Sequence, residues 1–107
     1  MVTKATKPIK IVDIGDLGSQ SPLYRIPRES VRKSLKPGYF VKICFVSETM
    51  QNGTDRERLW VEVTGGKNPY TGVLRSSPAF LKDLIPGEPI LFDAEHVSDV
   101  SLPQATV

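Results

Sequence analysis

The sequence predicts an α+β protein that is mainly β. We expect a strongly bent antiparallel sheet, or a small open SH3-like barrel, of four or five strands with one short N-terminal amphipathic helix. Three observations lead there. Short runs such as "YFVKICFVSE", "RLWVEV" and "YTGVLR" are rich in β-branched and aromatic residues and alternate in polarity. Asn-Gly, Gly-Gly and Pro-Gly pairs punctuate them. "IPRESVRKSLKPG", with apolar residues about four apart, is the best helix candidate.

The elements follow in chain order. Residues 1–8 are Thr, Lys and Pro without periodicity and read as a flexible tail. "IKIVDI" alternates weakly and is a candidate short strand, and "GDLGSQSP" is a loop by composition. A helix is expected from Ile26 to Leu35. Pro27 suits a first helical turn, Val31 and Leu35 share a face with Ile26 or Pro27, and Pro37-Gly38 stops it. On the next strand Tyr39, Val41, Ile43 and Phe45 form the core face, while Phe40, Lys42, Cys44 and Val46 form a mixed face. A loop follows, with Asn52-Gly53 as its tight turn.

In "RLWVEV", Leu59, Val61 and Val63 point one way, and Arg58, Trp60 and Glu62 the other. "TGGKNP" turns the chain into "YTGVLR", where Gly72 marks a bulge or bend. "SSPAFLKDLIPGE" holds one helical turn at most, with Phe80, Leu81 and Leu84 as anchors. "PILFD" is a short strand whose Pro89 belongs at an edge or at the strand start. "AEHVSDV" is a last helical turn, and 101–107 a flexible tail, leaving one β-rich domain over 9–100.

A chain of 107 residues, 39% hydrophobic, has one modest core and no apolar run long enough for a membrane span. The N-terminus lacks the apolar stretch of a signal peptide. The single cysteine, Cys44, cannot form an internal disulfide, which fits a cytoplasmic protein. Net charge is +2 but uneven: residues 1–42 hold nine Lys/Arg against three Asp/Glu, and 43–107 hold five against nine. Either the two halves attract one another on folding, or a basic face meets an acidic or phosphate partner.

The order "GYFVKICF", "RLWVEV", "YTGVL", Pro78, "LIPGEPILF" and "VSD" resembles an uncharacterised bacterial domain-of-unknown-function family. Its members read Val-Lys-x-x-Phe, Trp-Val-x-Val, Phe/Tyr-Thr-Gly-x-Leu/Ile, Asn-Asp-Pro, Gly-Asp-x-Val-x-Phe and Ser-Asp-Trp. The match covers roughly residues 38 to 100. Ser76-Ser77-Pro78, Glu88-Pro89 and Val100 depart from the pattern, the last replacing a closing aromatic. The resemblance implies a small bacterial domain without an established activity, so it transfers no site residue and no contact at the closing position.

Catalytic and metal chemistry find little support. One cysteine and one histidine do not make a zinc site, and the cluster Asp93, Glu95, His96, Asp99 lacks the glycine of a calcium loop. Cys44 lies mid-strand among apolar residues, where a cysteine is usually an inert small hydrophobe. "TGGKNP" lacks the upstream glycine and following Ser/Thr of a P-loop. We expect no enzyme activity, catalytic residue, metal or cofactor.

Two binding functions remain. The first is a protein-interaction module of a bacterial or phage accessory system, in a structural, immunity or inhibitor role, using edges and shallow aromatic grooves. Trp60 and Tyr70 are its candidate aromatic contacts, and the edge strands "PILFD" and "IKIVDI" could pair a second copy. The second is nucleic-acid binding through the basic 25–42 segment, with Arg25, Arg28, Arg32, Lys33, Lys36 and Lys42 as contacts. Trp60 shares the mixed face with Lys42, and the helix needs a surface to pack on. We expect the helix to cover Trp60; the competing reading leaves Trp60 open to a partner.

Overall fold

The computed structural model describes residues 9–13 and 26–102. The expected 1–8 tail, the loop after Ile14 and Arg25 lie outside the described residues. The fold is a mainly β, curled antiparallel half-barrel with very little helix. Its elements are β1 (Ile9–Ile11), α1 (Glu29–Arg32), β2 (Phe40–Gln51), β3 (Thr54–Gly66), β4 (Tyr70–Leu74), β5 (Pro89–Phe92), a 3-10 turn (Ala94–His96) and β6 (Asp99–Ser101). The sheet order is β1-β2-β3-β4-β5, and β6 also pairs with β2.

β2 and β3 form a long hairpin through Asn52-Gly53, both at positive φ (54° and 92°), as a two-residue hairpin turn requires. The strands run up to this turn, so the predicted loop is the irregular tip of the hairpin, with a register shift between Val46 and Gln51. In the regular part Val41 faces Val61, Ile43 faces Leu59 and Lys42 faces Trp60. Alternation therefore sends one set inward and the other outward. Val41, Ile43, Phe45, Leu59, Val61 and Val63 are all buried, together with Leu74, Leu81, Leu84, Ile90, Phe92 and Val97.

The curl comes from β3–β4, where the register shifts between Val63 and Gly65 opposite Thr71 and Gly72. Pro89 begins β5, which among the described residues pairs with β4 alone, so the proline sits both at a strand start and on an edge, two places where a sheet tolerates it. The chain then crosses through the 3-10 turn, capped by Asp93 and His96, to lay β6 on the edge of β2 opposite β3. Both ends of the meander are thereby joined by one interrupted strand.

Three expectations need correction. The helix is one turn, not ten residues. Its apolar stripe does not hold: Val31 is exposed and only Leu35 reaches the core. The docking is polar instead, because Arg32 donates from Nε to the Pro27 carbonyl (2.9 Å) and from Nη1 to the Ala94 carbonyl (3.0 Å). Ser101 belongs to β6, opposite Phe40, rather than to a tail. Phe80 is exposed, and only Leu81 and Leu84 anchor their loop.

Candidate interaction face

The outer face of the β2–β3 hairpin carries the residues with most binding potential. Cross-strand pairs run along it: Phe40 with Glu62, Lys42 with Trp60, Cys44 with Arg58, and Val46 with Arg56. At one end Phe40, Trp60 and Leu102 line an open groove of about 460 Å³, with Arg75, Ser76 and Ser101 at its rim. Trp60 and Phe40 are half-buried and Leu102 is 61% exposed. The Lys42 ammonium lies 5.0 Å from the centre of the Trp60 ring, a cation–π contact.

This groove is built by backbone. After β4 the chain folds back on Trp60. The amides of Arg75 and Ser76 donate to the Trp60 carbonyl, and the Trp60 amide donates to Ser76 Oγ at 2.8 Å. Arg75 is held by Glu62 at 2.8 Å. The Trp60 backbone is thus held at both its amide and its carbonyl. α1 packs against the 3-10 turn instead, through Arg32 and Ala94. The expected helix cover over Trp60 is therefore wrong: a single turn tethered to Ala94 does not form the roof that a ten-residue helix would.

The other candidates separate. Tyr70 is not a surface contact. It is buried and stacked on Phe92 with ring centres 5.5 Å apart, and its hydroxyl accepts from the Leu35 amide at 3.4 Å. Its inward position follows from the register of β4, where Tyr70, Gly72 and Leu74 are the buried residues. Arg32 is half-buried and structural. Lys33 pairs with Glu29 at 2.8 Å on an exposed surface; the hydrogen bond and charge of each partner raise the lysine and lower the carboxyl. Arg28 and Lys36 are exposed. Lys42 sits with Trp60 on the hairpin face. The basic residues from Arg28 to Lys42 are thus divided among several roles.

Sequence reading missed a second groove on the same face. Lys42, Arg56, Arg58, Glu57 and Phe80 are among the residues around this space of about 560 Å³, with buried Cys44 at its base. Burial pushes the Cys44 thiol up, against the pull of Arg56 and Arg58. Arg56 and Arg58 alternate outward with Trp60, a signal that was present in "RERLW". Among the described residues no group of three His, Cys, Asp or Glu is placed to hold a metal, and no helix is long and apolar enough to cross a membrane.

Compared with known proteins, the chain matches no family model, no curated protein and no solved structure. The geometry alone therefore carries the functional reading.

Proposed function

We propose that this chain is a non-enzymatic protein-interaction module that receives a partner on the outer face of the β2–β3 hairpin. One observation carries this: Phe40, Trp60 and Leu102 form an open apolar groove with a charged rim at Arg75. A half-buried tryptophan on a hydrogen-bonded backbone, beside an exposed leucine, is the kind of aromatic anchor that carries much of the binding energy in protein interfaces. Structural, immunity and inhibitor roles in a bacterial or phage accessory system fit this reading equally well.

The test has two parts. Trp60 is the chain's one tryptophan, so iodide should quench its fluorescence freely in the isolated protein. Capture from native lysate should then return a stoichiometric partner that shields Trp60 from iodide. Trp60→Ser and Leu102→Asp chains, folded by circular dichroism, should lose that partner. Equal retention by both variants would place the interface elsewhere.

A further inference from the structure

We infer that Asn52-Gly53, at the tip of the β2–β3 hairpin, is a self-modifying site: the Asn52 amide hydrolyses to a carboxylate through a cyclic imide, and the product releases the Phe80 loop from the tip. The reaction needs a backbone N–H directly after the asparagine, open space around it, and water. The tip supplies all three. Asn52 and Gly53 are both exposed, and a side chain at Gly53 would meet nothing within 4 Å. The ladder closes on the pair Gln51 and Thr54, so the Gly53 amide belongs to the turn and not to the sheet.

The chemistry balances with water as the co-reactant. The Gly53 nitrogen gives up its proton to base and attacks Asn52 Cγ. The N–Cγ bond forms, the Cγ–Nδ2 bond breaks, and the nitrogen leaves as ammonia. Water then opens the imide ring. Opening at Cγ restores the ordinary backbone and leaves an aspartate. Opening at the main-chain carbonyl routes the backbone through the side chain, as isoaspartate. On either route one water is consumed and one ammonia released.

Asn68 is a built-in control. It is the chain's other asparagine, exposed in the connection between β3 and β4 at almost the same positive φ, 53° against 54° for Asn52. The residue after it is Pro69, whose nitrogen carries no hydrogen and cannot become the nucleophile. Exposure and φ are thus matched at the two sites, and the following residue makes one reactive and the other inert.

The consequence follows from one hydrogen bond. Asn52 Nδ2 donates to the Phe80 carbonyl at 2.8 Å, tying the tip to the loop whose amides at Ala79, Phe80 and Leu81 are held by Glu57. The same bond restrains the side chain that has to swing toward Gly53, so the tether slows its own destruction. Once the amide is a carboxylate, two acceptors face each other with no proton between them. The loop is then left to the Glu57 clamp. Phe80 and Thr54 both line the second groove, so the modification reshapes one wall of it.

The test incubates the full folded chain in mildly alkaline heavy-oxygen water and maps it by peptide mass spectrometry. Label should enter at Asn52 as aspartate and isoaspartate, faster as pH rises, and stay out of Asn68. Glu57→Gln, shown to be folded by circular dichroism, loosens the Phe80 loop and should speed the reaction. Asn52→Asp imitates the ordinary-backbone product and keeps the turn, because Asp-Gly suits it. In that variant amide exchange over residues 79–81 should rise by about twofold to tenfold, the loss of one hydrogen bond. An unlabelled Asn52 over the time in which the urea-unfolded chain converts, or equal label at Asn68, overturns the site. Unchanged exchange in Asn52→Asp, or an unchanged rate in Glu57→Gln, overturns its coupling to the Phe80 loop.

Discussion

At the scale of single residues, the tightest constraint in the sheet is Gly72. A Cβ there would lie 2.6 Å from Val61 Cγ1, 2.8 Å from the Glu62 carbonyl and 3.2 Å from the Phe92 ring. The Glu62 carbonyl is backbone within the β3–β4 ladder and cannot move aside without breaking pairing. Gly72→Ala should therefore destabilise the protein by about 1–3 kcal/mol, the usual cost of overpacking a core. Urea unfolding monitored by circular dichroism measures it. A smaller companion, Val61→Ala, relieves the clash with Cγ1 but not that with the carbonyl. Partial rescue in the double variant would apportion the strain between side chain and backbone.

At the scale of elements, two loops are held by side chains that take backbone groups. Glu57 is the first. Burial alone would raise its carboxyl, but the amides of Leu81, Ala79 and Phe80, with Lys82 nearby, hold it below the ordinary 4.5. The folded protein thus releases this proton more readily than the unfolded chain. The stabilisation is complete above the unfolded value, near 4.5, and is lost as pH falls through the lower folded value. Glu57→Gln should cost about 1–3 kcal/mol at neutral pH by removing the charged acceptor. The gap in melting temperature from wild type should close as pH drops below that window. A gap that persists at low pH would mean the loss is packing rather than charge. Arg32 is the second, forking between the carbonyls of Pro27 and Ala94. Lysine keeps the charge but cannot reproduce the fork. Arg32→Lys should speed amide exchange over residues 31–34 while changing global stability by less than about 1 kcal/mol, because a local opening need not unfold the sheet.

At the scale of the whole molecule, what the sequence revealed was periodicity. Alternation placed Val41, Ile43, Leu59 and Val61 in the core and set Lys42 beside Trp60, and the structure pairs them so. The Asn52-Gly53 turn and the position of Pro89 were legible because their backbone chemistry permits few alternatives. The helix misled because spacing at 26, 31 and 35 records a pattern, not whether a groove exists to bury it. β6 was invisible because three residues carry no period, and its pairing with β2 lies far along the chain. Its closure depends on a long-range polar node instead. Ser98 is buried; its amide and Oγ both donate to the Lys42 carbonyl, at 2.9 and 2.8 Å, and Oγ accepts from Arg58 Nη2 at 3.1 Å. Ser98→Ala removes the hydroxyl donor and leaves Arg58 without that acceptor, which should lower stability by about 1–3 kcal/mol. The way it is lost tells how β6 is joined to the half-barrel. Trp60 shares a groove with Ser101 and Leu102, so its fluorescence senses β6, whereas far-UV circular dichroism senses the whole sheet. Coincident urea transitions from both probes would show that β6 closes as part of one cooperative unit. An earlier fluorescence transition in Ser98→Ala would show the interrupted strand peeling from β2 while the meander persists.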